Sequence, residues 1–447
     1  MDLRSTSMTS EPFAQDMRPE SPTPRQTRRR LRVCHECDWL VALPPLRARQ
    51  KADCPRCGHT LATRHHQPAE RCLALGIAAL IALVLSVSFD FVSFEVSGVS
   101  NRIELPQTAA TLIDFDQSLV AITVALTIMV LPAVYLAGVI WLHAGLMYRI
   151  PLPASRYIAR ALAHLHPWMM ADVFIIGALV SLIKIAGLAS VTLGISFWAF
   201  CCFAVLLLAT TQSIDSDWMW FSLAGEPLAP EGSRAGSVAA PQGLSGCPTC
   251  GLVNRLDERR HGRCRRCGER LHARLPHSLQ RTWALLFASA VAYVPANIFP
   301  IMTTTYLGSS DPQTIIGGVV ELWQAGSIPV ALVIFIASVL VPVGKLIALA
   351  WLCIAARRSS GYHPVTRTRL YRLTEFIGRW SMVDIFVVAI LVALIRADAL
   401  MTITPGPAAL AFASVVVLTM LAAITFDPRL LWESSPLETS DKEARHA

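Results

Sequence analysis

Long apolar runs separated by short polar segments form most of the chain. They fall into two sets of four, at 72–89, 119–147, 171–189 and 193–213, and then at 283–302, 328–356, 380–397 and 405–426. Each run is close to the ~20 residues that an α-helix needs to cross a bilayer. The pattern predicts an all-α polytopic membrane protein with about eight transmembrane helices. The first run of each set is the weakest, because Asp90 borders one and Pro295 and Asn297 interrupt the other.

Landmark residues of the first set recur in the same order in the second. Pro132 matches Pro342, Trp141 matches Trp351, Trp168 matches Trp380, Asp172 matches Asp384 and Lys184 matches Arg396. A fixed order of rare residues at nearly constant spacing indicates an internal repeat. The sequence therefore predicts two tandem units of four helices, pointing the same way through the membrane.

Four cysteines in two CxxC pairs precede each set of runs. They are Cys34, Cys37, Cys54 and Cys57 before the first set, and Cys247, Cys250, Cys264 and Cys267 before the second. Four thiolates at this spacing can surround one tetrahedral zinc ion, and no position is left for a reacting water. We therefore predict two zinc ribbons, each with one structural ion. Iron in a rubredoxin-like site and a redox dithiol are the alternatives.

The repeats divide the chain into seven predicted segments. These are a disordered tail (1–33), ribbon 1 (34–66), transmembrane unit 1 (72–222), a linker (223–246), ribbon 2 (247–274), transmembrane unit 2 (280–432) and a C-terminal tail (433–447). The linker is rich in glycine and proline, which is typical of a flexible connection.

Charge is scarce, and its placement predicts the orientation in the membrane. Of the residues, 53% are hydrophobic and 16% charged, with a net charge of +8. The 91–118 loop holds one arginine and the 301–327 loop holds none, whereas segment 214–282 holds ten. The positive-inside rule therefore places both ribbons and both termini in the cytoplasm, which also explains the basic charge without nucleic acid.

Several ionisable residues fall inside or at the edges of the runs, where charge is costly. Lys345 is the strongest candidate for function, since it lies about eleven residues, or roughly 16 Å, from the inner end of its run. Asp384 is the predicted counter-ion, and the position that matches Lys345 in the first unit is Tyr135. Weaker candidates are Asp172, Lys184 and Arg396, which can also be interfacial.

A second candidate polar site lies in the first run of the second set, around Asn297 and Pro300. A broken helix with an amide side chain can line a cavity inside a membrane protein. The alternative is a simple helix end, capped by the two residues.

The paired ribbons, the repeated Trp-x-Met-x-Asp-x-Phe stretch and the Tyr293-x3-Asn297-x2-Pro300-x-Met302 motif resemble the paraquat-inducible protein A family. The resemblance covers residues 34 to about 432. It implies a bacterial inner-membrane protein that works with a periplasmic MCE-domain protein and moves phospholipid between the two membranes. It also implies zinc at the eight ribbon cysteines, and it marks Asn297, Pro300, Lys345, Trp380 and Asp384 as the residues that match the family's strongest positions.

Two other functions remain open from the residues. One is a zinc- or redox-responsive regulatory module, and the other is a quinone-linked oxidoreductase. The chain carries no Rossmann or P-loop signature, so a non-enzymatic role is preferred.

Overall fold

Helices form most of the described chain. The computed structural model describes residues 30–96, 99–114, 118–150, 152–185, 190–306, 309–324, 326, 328–358, 364–394, 396–397 and 401–433. The first helical half comprises α1 (Pro68–Ser88), α2 (Leu105–Asp114), α3 (Ser118–Ala125), α4 (Leu131–Tyr148), α5 (Ser155–Leu165), α6 (Ala171–Ile185), α7 (Ile195–Ser213) and α8 (Ser216–Ala224). The second comprises α9 (Ser278–Ile298), α10 (Ile315–Gln324), α11 (Ile328–Phe335), α12 (Val341–Arg357), α13 (Pro364–Trp380), α14 (Val383–Leu394) and α15 (Pro407–Thr425).

Short strands accompany the helices, so the chain is mostly helical and the prediction of an all-α fold is too strong. The strands are β1 (Leu31–Val33), β2 (Trp39–Ala42), β3 (Lys51–Asp53), β4 (Thr60–Thr63), β5 (Asp90–Val96), β6 (Val99–Glu104), β7 (Ser190–Leu193), β8 (Ser237–Val238), β9 (Leu244–Gly246), β10 (Val253–Arg255), β11 (His261–Arg263), β12 (Arg270–His272), β13 (Met302–Tyr306), β14 (Ser309–Gln313), β15 (Arg396–Ala397) and β16 (Met401–Pro405). One sheet has the order β6-β5-β7 and another β14-β13-β16-β15. Both are built from segments that join the apolar helices.

Six described helical segments are long and apolar enough to cross a membrane. They are Pro68–Ser88, Val120–Tyr148, Ser155–Ile183, Ile195–Ser213, Ala331–Arg357 and Pro407–Thr425. Large apolar side chains such as Phe287 (72% exposed) and Ile195 (70% exposed) point away from the protein, as lipid-facing residues do. The chain is therefore a multi-pass membrane protein. The predicted runs 283–302 and 380–397 are not among the six, since α9 is interrupted by polar residues and α14 has 12 residues.

The longest helical segment of each half contains a π-helical turn just before a proline. These turns span Leu126–Val130, ahead of Pro132, and Ile336–Leu340, ahead of Pro342. A proline has no N–H to donate, and its ring would clash with the carbonyl four residues earlier in a regular helix. The wider turn accommodates this conflict, so each proline is preceded by a π-bulge.

Two helix pairs, α1 with α7 and α9 with α15, pack along each other in their respective halves. At one end of each pair, two backbone segments cross closely at a glycine that follows a strand. The N–H of Gly194 donates to Phe91 O at 3.1 Å, and the N–H of Gly406 donates to Ile301 O at 2.9 Å. A Cβ atom at Gly194 would overlap the carbonyl oxygen of Asp90, and one at Gly406 would overlap that of Pro300.

The segment after α8 is ordered against ribbon 1, which differs from the flexible linker predicted there. Its strand β8 pairs with β2, and the N–H of Ala240 donates to the Asp38 carboxylate at 3.0 Å. Strand β1, which falls at the end of the predicted tail, also bridges to ribbon 2 through Arg32 and Leu252. Backbone pairing therefore holds the two ribbons and the segment between them together.

We expect Gly194→Ala and Gly406→Ala each to destabilise the protein by about 1–3 kcal/mol or more, because the added methyl group meets backbone that cannot rotate away. The measurement is the thermal midpoint of the purified protein in detergent. Gly344→Ala is the matched control, since nothing lies within 4 Å of a Cβ atom there, and alanine is the better helix former. If the Gly194→Ala and Gly406→Ala variants keep the wild-type thermal midpoint, the backbone at these two crossings can move apart to admit a methyl group, and the expectation is wrong.

Candidate functional site

All four CxxC pairs fold into the same backbone turn. The residue after each second cysteine adopts a left-handed conformation, at Gly58 (φ 70°), Gly251 (φ 70°), Gly268 (φ 78°) and, without glycine, Asp38 (φ 58°). In each turn this residue donates its N–H to the carbonyl of the first cysteine, at 2.8–3.0 Å. Glycine and, less often, aspartate tolerate this conformation. The turn brings two sulfurs to the same side of each knuckle.

The eight predicted cysteines form two buried four-sulfur clusters. Within each cluster the sulfur atoms lie within 4.8 Å of one another. The Cys34–Cys57 and Cys250–Cys264 sulfur pairs are both 3.4 Å apart. Four sulfurs bound tetrahedrally to zinc would be about 3.8 Å apart, given Zn–S bonds of about 2.3 Å. The donor set and its spacing therefore fit one tetrahedral metal ion in each cluster.

The cysteines also need a nearby cation if they are to ionise to thiolates. Hydrogen bonds among neighbouring sulfurs, and then burial, raise the pKa of Cys37 and of Cys247 far above the usual value. Four thiolates cannot share so small a volume without a positive ion between them. A metal would remove this penalty by binding the thiolate form.

Ribbon 1 docks on the second helical half through its knuckles, and it also touches the first half, where Arg64 pairs with Asp215 at 3.5 Å. Glu36, inside the first knuckle, accepts hydrogen bonds from both Nε and Nη2 of Arg372 in α13. The same guanidinium donates to Cys57 O at 3.0 Å, in the second knuckle. Burial alone would raise the pKa of Glu36, but hydrogen bonds from His59 and Arg372 outweigh it and lower that pKa to about 2. One arginine thus ties both knuckles to α13.

An arginine of the second knuckle adds a further contact between ribbon 1 and the second half. The Arg56 guanidinium lies 5.0 Å from the ring centre of Trp39 and 4.6 Å from that of Trp432. Trp432 follows α15 and donates its indole N–H to the Thr368 hydroxyl in α13 at 3.0 Å. A cation held between two aromatic faces is a strong packing element at a partly buried interface.

Ribbon 2 makes the reciprocal contact with the first half. Arg266 holds the same place in its knuckle as Arg56, is 2% exposed, and donates to the carbonyl of Trp220 in α8 at 3.2 Å. Trp220 lies five residues after Asp215, just as Trp432 lies five residues after Asp427. The knuckle contacts are therefore crossed, since Arg56 reaches the second half and Arg266 the first, while ribbon 1 also touches the first half at Asp215. This arrangement was not predicted from the sequence.

Lys345 is buried between three helices of the second half. Its side chain is on α12, is 3% exposed, and donates to the Thr419 hydroxyl of α15 at 2.9 Å. A Cβ atom at Gly378 of α13 would lie 3.6 Å from the ammonium nitrogen. An ammonium group has three donors, and Thr419 is its hydrogen-bond partner among the described residues. The site therefore combines a buried cation with hydrogen-bonding capacity for a further acceptor.

The equivalent place in the first half is filled by aromatic residues. Tyr135, which matches Lys345, is 2% exposed. Its ring centre lies 6.4 Å from that of His166, which stands two residues before Trp168 just as Gly378 stands two before Trp380. The glycine that leaves space for the ammonium is thus specific to the second half.

The other predicted residues are spread over the second half. Asn297 donates its amide to Tyr293 O at 2.8 Å, at the end of α9, and Pro300 lies at the backbone crossing with Gly406. Trp380 is 38% exposed and ends α13. Asn297 thus lies at the end of α9, and Trp380 lies at the end of α13. No contact between Asn297 and Lys345 is present among the described residues. Thr419 and Gly378 were not predicted, although Gly378 stands beside the repeated Trp380 motif.

The remaining four ionisable residues that the sequence singled out are Asp172, Lys184, Asp384 and Arg396. Asp172 is exposed in the first turn of α6. The side chains of Lys184, Asp384 and Arg396 lie outside the part of the structure that is described, so the predicted pairing of Lys345 with Asp384 stays a prediction.

Known proteins resemble this chain over most of its length. The family model "Paraquat-inducible protein A" matches residues 69–224 and again 279–435. "Intermembrane transport protein PqiA" of Escherichia coli (strain K12) is 42% identical over 90% of this chain and 96% of its own. "Lipophilic envelope-spanning tunnel protein A" of the same strain is 29% identical over 90% of this chain and 91% of its own.

A third relative, "Probable intermembrane transport protein" of Haemophilus influenzae, is 27% identical over 90% of this chain and 95% of its own. No solved structure matches the chain. The double match to the family model and the full-length similarity confirm the family that the sequence motifs indicated, and this chain belongs to the paraquat-inducible protein A family.

Proposed function

We propose that this protein is the inner-membrane component of a system that moves phospholipid between the two membranes of the cell envelope, together with a periplasmic MCE-domain protein. The observation that carries the proposal is Lys345, a buried cation inside a membrane-spanning half whose hydrogen-bond partner among the described residues is Thr419. Relatives named as intermembrane transport proteins support it, as does one named for a lipophilic tunnel. The protein is a transport component rather than an enzyme in this proposal.

The proposed topology has eight membrane helices in two tandem units, with both ribbons and both termini in the cytoplasm. Its support is the double match to one family model and the arginine-rich segments around the ribbons. In that arrangement the sheets β6-β5-β7 and β14-β13-β16-β15 lie on the periplasmic side, where a partner would dock. An even number of spans in each unit keeps the two ribbons on the same side.

Lys345 is proposed to bind the anionic headgroup of a lipid, or to pass a proton with Asp384 during loading. Charge buried at membrane depth is costly, so it is retained where a ligand or an ion pathway needs it. The Thr419 hydroxyl would hold the ammonium in place, and Gly378 would keep the space beside it open.

We expect Lys345→Met to lower the rate of phospholipid transfer at least tenfold while leaving the amount of protein in the membrane unchanged. Methionine has a similar volume, so the change removes the charge without creating a large cavity. Transfer is measured between donor and acceptor vesicles with the reconstituted protein and its periplasmic partner. Tyr135→Phe is the matched control in the first half and should transfer at the normal rate. A fully active Lys345→Met variant would falsify the assignment.

The metal in the ribbons is proposed to be zinc, with a structural role. Closed four-cysteine sites leave no open position for chemistry, which disfavours a catalytic or sensing metal. When bound, zinc would supply the cation that holds four thiolates together. The cysteines and the repeated turn around them would then position Glu36, Arg56 and Arg266 for docking.

Metal analysis of the purified protein is expected to find two zinc ions per chain, one for each four-cysteine cluster. The double variant Cys264→Ser/Cys267→Ser should retain one, since two thiolates are too few to hold the ion. Cys72→Ser/Cys353→Ser is the control, because both cysteines are buried but lie outside the clusters. Iron with its visible absorption, or a dithiol that holds no metal, would overturn the zinc assignment.

A further inference from the structure

A large cavity opens in the first helical half, on the same side of the membrane as the ribbons. Its volume is about 1120 Å³, and its walls come from the start of α1, the end of α4, the start of α5 and α8. Small-molecule pockets usually have volumes of about 300–1,000 Å³, so this one has room for a larger ligand. It lies far along the chain from Lys345 and belongs to the other half.

The lining combines apolar and basic side chains. Leu142 is buried and Leu146 and Leu223 are half-buried, and all three contribute apolar surface to the cavity. Arg149 and Arg156 also line the cavity and are both exposed. The two guanidinium groups form no ion pair within the described residues. Glu70, at the start of α1, is the acidic residue among the lining groups, so the basic charge exceeds the acidic charge.

The local backbone explains how the cavity forms. Helix α4 ends at Arg149 in a left-handed conformation (φ 55°), and the chain then turns back under the helix. Gly145 allows this turn, since a Cβ atom there would lie 2.8 Å from a methyl group of Leu152. Helix α5 begins after Ala154, which supplies no side-chain cap. The positive end of its dipole therefore adds to the basic character of the cavity.

We infer that this cavity holds the headgroup and upper acyl chains of an anionic phospholipid from the ribbon-side leaflet. Basic pockets between membrane helices on the cytoplasmic side are suited to anionic lipid headgroups. The apolar part of the lining favours a lipid over a soluble anion, because a soluble anion gains nothing from Leu142, Leu146 and Leu223. The inference rests on the proposed lipid-transport function and assigns to the first half a lipid-holding site of its own.

The experiment uses the full-length protein in nanodiscs of phosphatidylglycerol and phosphatidylcholine, followed by native mass spectrometry of the lipid that it retains. The wild-type protein should retain phosphatidylglycerol several-fold over phosphatidylcholine. Arg149→Gln/Arg156→Gln should lower that preference by roughly tenfold or more, since each basic group near an anionic surface contributes about fivefold to affinity. Arg71→Gln/Arg281→Gln removes the same charge from exposed residues that do not line the cavity and should keep the preference.

A variant that fills the cavity without changing charge completes the design. Ser222→Trp places an indole in the cavity wall and should lower total lipid retention. An unchanged preference in Arg149→Gln/Arg156→Gln would overturn the inference. So would full displacement of the lipid by excess inorganic phosphate, which would identify a site for soluble anions instead.

The two proposals fail independently. Lys345→Met should keep the phosphatidylglycerol preference, because Lys345 does not line this cavity. If Lys345→Met stops transfer while the cavity variants keep their lipid preference, the cavity inference alone is wrong. If Lys345→Met transfers normally while the cavity variants lose their preference, the proposed role of Lys345 is the one that is wrong.

Discussion

Crossed knuckle contacts tie the ribbons to both helical halves, which also meet directly where Phe174 packs on Phe386. In ribbon 1, Glu36 is bonded to Arg372 of the second half, and in ribbon 2, Arg266 is bonded to the Trp220 carbonyl of the first half. Arg372 bonds both knuckles of ribbon 1, and Gly378 follows it on α13 by six residues, or about 9 Å of helix. One helix therefore carries both the arginine that bonds ribbon 1 and the glycine beside Lys345.

The two helical halves share several local features. Both have a π-bulge before a proline and a glycine at a close backbone crossing. In both, an aspartate caps the short helical segment that follows the last long helix. They differ at the centre, where Tyr135 with His166 occupies the place that Lys345 with Gly378 takes in the second half. Aromatic packing stabilises the first half at this point. The second half has a buried lysine at this place instead, where charge is costly.

Some of this could be predicted from the sequence and some could not. The cysteine clusters, the repeated order of landmarks and the contrast of Lys345 with Tyr135 depend on spacing, which the sequence records directly. The sheets were missed because β5 and β13 are short, lie between apolar runs and pair with distant partners such as β7 and β16. The crossed knuckle contacts were missed because they join residues that no sequence motif links, 336 positions apart for Glu36 and Arg372 and 46 for Arg266 and Trp220.

Polar side chains within the helices show why hydropathy alone misjudges this protein. Ser181 donates to the carbonyl of Gly177 at 2.8 Å, and Asn297 donates to that of Tyr293 at 2.8 Å, so each satisfies its donor inside the protein. A hydroxyl or amide bonded in this way costs little in a membrane, and α9 can carry several such groups. Lys345 differs, because a single hydroxyl cannot satisfy three ammonium donors and a full charge. Thr419 thus accounts for one of the three ammonium donors among the described residues, and the side chain of Asp384, the predicted counter-ion, lies outside them.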